Sequence, residues 1–316
     1  MNKRALSKQM FDDFKNEEGK LHSLLTRVLK DDTLSLEFRG GGFSDTETNV
    51  SYKEGANVYY RGGSLFYIEK KDDGYILRFN TKYCKDTGIE QPMNPSIDYA
   101  VKNVSLYKEA MDFWFTAHPK YEREFQQIVV RENNGHNKIS HATDYYINDV
   151  EYCYQDARFD MIAVKWMSKS HERKKMTAPS ISIIEMKYGD GALQGSAGIT
   201  THLDDFKAFI DSAEFEEFCK DQSNIFWQKC ELGLIPDMLK MPHKINIQAA
   251  NKEDMEMIFL LANHDPDSTV LRKLVNSINP NDYPFIIKFS FASMMGYGLY
   301  DDNMMTLGEF REYISK

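Results

Sequence analysis

The chain is poor in the features that announce a specialised protein. Four cysteines occur in 316 residues (Cys84, Cys153, Cys219 and Cys230), and no two of them stand in a Cys-x-x-Cys spacing. Neither a cysteine-built zinc site nor a disulfide framework is indicated. No run approaches the roughly 20 apolar residues that a membrane helix needs. A surplus of positive charge is also missing: 39 Lys and Arg against 48 Asp and Glu leave a net charge of −9. That argues against a general polyanion coat but leaves room for a local basic cleft, because the field at a site depends on charge placement. The opening residues, MNKRALSKQMFDDFK, lack an apolar core of signal-peptide length. There are no repeats and no low-complexity tract. The expectation is a soluble, reduced, cytoplasmic protein of ordinary globular composition, long enough for one sizeable core or two domains.

Periodicity supplies the organisation. Residues 5 to 30 carry apolar residues at helical spacing, interrupted near Gly19. The stretches TLSLEFRG, NVYYRGGSLFYIEK and GYILRFNTKY then read as short strands, with KDDG as a hairpin turn between the last two. KDTGIEQPMNPS reads as a linker. It suggests an N-terminal α+β region over 1–92 and a second domain over 93–316. That second part opens with helices in IDYAVKNVSLYKEAMDFWF and in HPKYEREFQQIVVRENNG, the latter closed by Gly135. Three strand-like runs follow: HATDYYI, continued by VEYCYQ after a turn at Asn148-Asp149; RFDMIAVKW; and ISIIEMKY. A helix in THLDDFKAFIDS and a strand in MIFLLAN come next, and PFIIKFSFASM adds a further strand. Helix, three strands, helix, strand describes an α/β sheet with helices on its faces.

Three charges stand inside those apolar strands: Asp160 in ARFDMIAVKW, and Glu185 and Lys187 in SISIIEMKYGDG. Burying charges is costly unless they pair or bind a metal. Side chains alternate along a strand, so Glu185 and Lys187 project the same way and Met186 the other. If the strand of Asp160 pairs with this one, the two carboxylates meet. Two hard oxygen ligands plus solvent suit Mg²⁺. A lysine beside such a metal is placed to orient a water or to stabilise charge developing on a phosphate. A structural alternative pairs Asp160 with Lys187 across the strands and leaves Glu185 solvated.

The run RFD followed by a strand ending IIEMK resembles the P-D…(D/E)-x-K signature of restriction-endonuclease-like nucleases, with Phe159 where that signature has proline. YEREFQQIV resembles the E-R-E-L helix start of archaeal Holliday-junction resolvases. The resemblance covers about residues 115 to 265 and implies a restriction-endonuclease-like core. It also implies Asp160 and Glu185 as ligands of Mg²⁺ or Mn²⁺, Lys187 as catalytic lysine, and the Met186 carbonyl as a further ligand. Glu122, with Glu124 as competitor, would be the helix acid that joins the metal site. The implied activity is metal-dependent hydrolysis of phosphodiesters, most naturally in DNA, in restriction, repair, recombination or defence against mobile DNA. Cleavage of both strands of a duplex would call for a homodimer. The alternative is a non-catalytic nuclease-fold module that binds nucleic acid or a protein partner.

Lys169, Arg173, Lys174 and Lys175, in KSHERKK, form a basic cluster suited to a phosphate backbone or to a solvated hairpin tip. The glycine-rich YGDGALQGSAGIT fails the dinucleotide fingerprint at Gln194 and has no Walker lysine, so it reads as an active-site loop, and the resemblance implies that Gln194 meets substrate there. His202 stands at the start of the next helix, where a structural or capping role competes with a place in the site. RGGGF reads as a turn, and the aromatic residues Tyr59, Tyr60, Phe66, Tyr67 and Tyr75 read as core of a small sheet rather than a base-stacking surface.

Overall fold

The structure is a computed structural model that describes residues 3–40, 43–45, 50–52, 54–85, 87–135, 142–236, 245–247, 251–265, 268–292, 298–299 and 301–315. Gly41 and Gly42 of RGGGF, His141, Ser293 and Met294 fall outside this set. The chain forms two units, one from residues 2–141 and 224–240, the other from 142–223 and 241–316.

In the first unit the helical run breaks where the sequence places the break, between α1 (Lys8–Lys15) and α2 (His22–Leu29). A Cβ on Gly19 would sit 2.3 Å from the Asp13 carbonyl oxygen, so the chain doubles back only where no side chain intrudes. Strands β1 (Leu34–Phe38), β2 (Phe43–Asp45), β3 (Val50–Tyr52), β4 (Gly55–Tyr60), β5 (Gly63–Lys71) and β6 (Gly74–Arg78) follow. They make an antiparallel sheet in the order β1-β4-β5-β6 and a separate β2-β3 hairpin. The β4–β5 turn places Arg61 and Gly62 at φ 51° and 71°, the left-handed pair that a two-residue hairpin favours. The expected KDDG turn joins β5 to β6, with Lys71 opposite Gly74.

Helices α3 (Ile97–Ala117) and α4 (Tyr121–Asn134) belong to this same unit, and here the structure departs from the 92/93 boundary. The reason is apolar burial. Val104, Tyr107, Met111 and Phe115 of α3 share one core with Leu36, Val58, Phe66 and Leu77 of the sheet. The linker closes onto that core rather than separating it: the Phe79 amide donates to the Met93 carbonyl (2.7 Å) and the Tyr107 hydroxyl to that of Pro92 (3.1 Å). On α4, the Gln127 amide donates to the Ser35 hydroxyl of β1 (3.0 Å), and Gly135 ends the helix at φ 44°. Of the aromatic residues read as core, Tyr59 and Phe66 are buried, while Tyr60, Tyr67 and Tyr75 are half-buried.

The second unit holds β7 (Tyr145–Tyr154), β8 (Ala157–Lys165), α5 (Ser170–Lys175), β9 (Ile181–Tyr188), α6 (Ile199–Ile210) and α7 (Phe215–Glu231), the last running across the 223/224 division. It continues with β10 (Glu256–Ala262), α8 (Thr269–Ser277), β11 (Ile286–Ala292), β12 (Met305–Thr306) and α9 (Leu307–Ser315). The six strands form one mixed sheet in the order β12-β11-β10-β9-β8-β7. β7, β8 and β9 are an antiparallel meander, whereas β10 runs parallel to both β9 and β11. The protein is thus of mixed α/β class, as its sequence indicates. Asn148-Asp149 proves to be a bulge inside one continuous β7 rather than a turn: Asn148 has no partner in the register between Ile147↔Ala163 and Asp149↔Ile162. The Asn148 side chain is fully buried and donates to Gln222 on α7, at 2.9 Å to its carbonyl and 2.8 Å to Oε1.

Candidate active site

Strands β8 and β9 pair from Val164↔Ile181 to Met161↔Ile184. Asp160 and Glu185 come next on each strand, and there side chains take over from the ladder. The Asp160 amide donates to Glu185 Oε1 (3.1 Å), and the Met186 amide donates to Asp160 Oδ2 (3.0 Å). Each carboxylate therefore braces the other strand where the sheet forks.

Lys187 and Glu185 lie on one face of β9, as alternation requires, with Lys187 Nζ 3.4 Å from Glu185 Oε2. From α6, His202 brings Nε2 to 3.4 Å from that same oxygen. Asp160, Glu185, Lys187 and His202 are all buried, and Glu185 is only 1% exposed. The structural alternative, with Glu185 solvated and Asp160 holding the lysine, is therefore not what the fold builds.

Electrostatics at the fork are under-compensated. Burial, opposed by Lys187 and the Met186 amide, raises the Asp160 carboxyl above its ordinary range. Glu185 is raised well above its own, by burial and then by the charge of Asp160. His202 is pushed down to about 4, by burial and then by Lys187. It is neutral near pH 7, so it brings no second positive charge. Lys187 is the cation in contact with Glu185, and Arg158, exposed at the surface, acts on Asp160 and His202 from farther off, so the two buried acids are compensated only in part.

A second charged cluster in the same sheet makes the contrast plain, and the sequence reading did not single it out. Glu256 on β10 is fully buried and accepts from Lys165 (2.9 Å), Lys288 (2.9 Å) and the Ser182 hydroxyl (2.8 Å). The Tyr145 hydroxyl lies 2.7 Å from Glu256 and 2.9 Å from Asp301, and Asp301 also pairs with Lys288 and, at 3.1 Å, with Lys165. Two acids meet two lysines. Despite burial, those partners hold Glu256 below its usual range and Asp301 down at about 2. Ser182 and Glu185 differ in parity along β9, so the two clusters address opposite faces of that strand. The signal that could have found this cluster is the one that found the fork: Lys165, Glu256 and Lys288 are charges inside apolar runs.

The other expected site residues are placed as follows. Glu122 and Glu124 lie on α4, in the first unit, where Glu124 pairs with Arg61 (3.0 Å). Phe159 is buried against Phe206 and Phe209 of α6, with ring centroids 6.1 and 5.6 Å away. The basic turn leaves β8 at Lys165, five residues and roughly 17 Å of strand from Asp160, so it stands at the far end of the hairpin from the fork. Within it, Arg173 is a tie rather than a free cation: it donates to the Met167 carbonyl (2.6 Å), lies over the Trp166 ring, and is pushed down to about 10 by burial. Lys169 pairs loosely with Glu172 (3.8 Å), while Lys174 and Lys175 are exposed. Gln194 is exposed in a surface cleft with Thr200, Thr201, Lys273 and Ser277, and the fork acids are not part of its lining.

Among the described residues, no group of three or more His, Cys, Asp and Glu is arranged to hold a metal ion. Mg²⁺ needs fewer, since it is commonly held by one or two carboxylates with water and substrate phosphates completing the shell. Asp160, Glu185 and the Met186 carbonyl are hard oxygen donors of that kind, and the mutual repulsion of the two acids is what a cation would relieve. The donor set fits Mg²⁺ or Mn²⁺ in this minimal sense. No protein-family model matches the chain, and comparison with curated proteins and with solved structures gives no significant match. Among the described residues, no helix is long and apolar enough to cross a membrane.

Proposed function

We propose that the second unit is a metal-dependent nuclease, hydrolysing phosphodiesters with DNA as its preferred substrate, on a core of the restriction-endonuclease-like kind. The observation that carries this reading is the fork itself. Two buried carboxylates short of positive charge, with a lysine two residues after one of them, stand beside a fully compensated cluster in the same sheet. The meander β7-β8-β9 followed by α6 and the parallel β10 supports such a core in part, since the helix that carries Glu122 belongs to the first unit. In this reading Asp160, Glu185 and the Met186 carbonyl hold Mg²⁺ or Mn²⁺. Such a cation, when bound, polarises a phosphoryl oxygen and makes a coordinated water more acidic. Lys187 donates a charge-assisted hydrogen bond to the phosphate as negative charge grows on it. His202, neutral, holds Glu185 in place without competing for the cation.

The reciprocal hydrogen bonds between each acid and the opposite strand favour a second reading, in which the carboxylates are structural and the fold is a non-catalytic binding module. Cleavage separates the two. Labelled linear, circular and branched DNA, and RNA, are incubated with wild type, Glu185→Gln and Lys187→Ala in Mg²⁺, Mn²⁺ or EDTA. The nuclease reading expects metal-dependent cleavage lost in both variants. Nucleic-acid binding without cleavage by wild type would select the binding module, and equal cleavage by all three proteins would remove the fork from the chemistry.

A further inference from the structure

The chain carries a net charge of −9, yet one surface of the first unit gathers cations around aromatic rings. A one-turn helix at Thr81–Cys84 packs against the C-terminal end of α3. From it the Lys82 ammonium reaches over the Trp114 ring, 5.1 Å from its centroid. His118, at the end of α3, stacks on Trp114 with centroids 4.7 Å apart and planes 14° from parallel. Lys120, Tyr121 and Arg123 follow at the start of α4. Lys82, His118, Lys120, Tyr121 and Arg123 are all exposed, Tyr121 by 51%. Lys82 and Lys120 have no carboxylate partner among the described residues. Burial lowers the Lys82 ammonium, and Arg123 and Lys120 lower it further, which marks three cations close enough to repel one another. Lys82 and Lys120 are the cations of this cluster that a bound anion would meet first.

We propose that this surface binds single-stranded nucleic acid, with bases stacking on His118 and Tyr121 and phosphates meeting Lys82, Lys120 and Arg123. An acidic peptide would use the cations and leave the rings idle. A duplex keeps its bases stacked on one another and out of the rings' reach. Alternating π-faces and cations are what a strand with exposed bases rewards. The inference does not rest on the catalytic reading, because binding is measured without metal.

The test is fluorescence anisotropy of the full chain with a labelled oligonucleotide on the order of 15 nucleotides, a single-strand site size, in EDTA, against its duplex and against poly-glutamate. His118→Ala and Tyr121→Ala should each weaken single-strand binding by roughly 5- to 100-fold, the usual loss for a stacked base. His118→Phe, which keeps a ring, should restore it. Lys82→Ala with Lys120→Ala should reduce the salt dependence by about 1.4 in slope, two phosphate contacts on a single strand. Lys8→Ala, an exposed lysine of α1 in the same unit, should bind as wild type, which separates this surface from a general attraction to lysines. Wild-type affinity in all the surface variants, or equal affinity for the duplex or poly-glutamate, would overturn the proposal. All the substituted side chains are exposed, and circular dichroism checks that each variant is folded.

Discussion

Glu185 is a carboxylate held where it costs stability. Its folded form resists ionisation, because burial and the neighbouring Asp160 both oppose the charge. Glu185→Gln keeps an oxygen for the Asp160 amide and removes the repulsion. It is expected to raise unfolding stability by about 1 kcal/mol, read from urea denaturation at pH 7, while lowering cleavage at least 10²-fold. Stability lost together with activity would instead identify a structural brace. Lys187→Met removes the ammonium in contact with Glu185 and should destabilise the fold and, on the nuclease reading, abolish cleavage, since it leaves two buried acids with the more distant Arg158 alone. The opposite sign of the two stability effects is the useful part, because a generic packing defect would make both negative.

At the scale of elements, the sheet carries two kinds of buried charge, and they answer mutation differently. Removing Glu256 leaves Lys165 and Lys288 with Asp301 as their one remaining acid among the described residues, so Glu256→Ala should cost about 3 kcal/mol with no specific effect on chemistry. Turns are similarly exposed to test: a Cβ at Gly62, already at φ 71°, would sit 2.3 Å from the Arg123 carbonyl. Gly62→Ala should therefore destabilise the first unit by about 1–3 kcal/mol, read from its urea midpoint. Most elements were legible in the sequence because each obeys a local rule. Helical spacing gave α1 to α4, the KDDG hairpin gave β5–β6, and the apolar runs gave β8 to β11. The β7 bulge was not, since Asn-Asp reads as a turn until a tertiary partner, here Gln222, claims the extra residue. Asp160, Glu185 and Lys187 stood out as charges in apolar strands, but that signal alone does not separate them from Lys165, Glu256 and Lys288. Only the number of partners around each acid does so.

At the scale of the whole molecule, the 92/93 boundary failed because a Pro- and Gly-containing linker says nothing about which core the next helix joins; the apolar stripe of α3 decides that, and it joins the N-terminal sheet. Stability across the chain should also depend on pH with a definite sign. Asp301, held down at about 2, and Glu256, also depressed, contribute stability that is present above the ordinary carboxylate range. For Asp301 this contribution is lost as pH falls from about 4 towards 2. Urea midpoints measured from pH 7 to pH 2.5 should fall over that window in wild type and fall less in Asp301→Asn. The fork should respond to divalent cations in the other direction, since a ligand bound only by the folded chain adds stability. The most direct measurement is a Mn²⁺ titration followed by electron paramagnetic resonance, with wild type and Glu185→Gln compared at pH 7. Wild type is expected to remove Mn²⁺ from the free pool at a site that Glu185→Gln lacks and that Mg²⁺ competes for. Equal binding by the two proteins, or none by either, would contradict a metal site at the fork of β8 and β9.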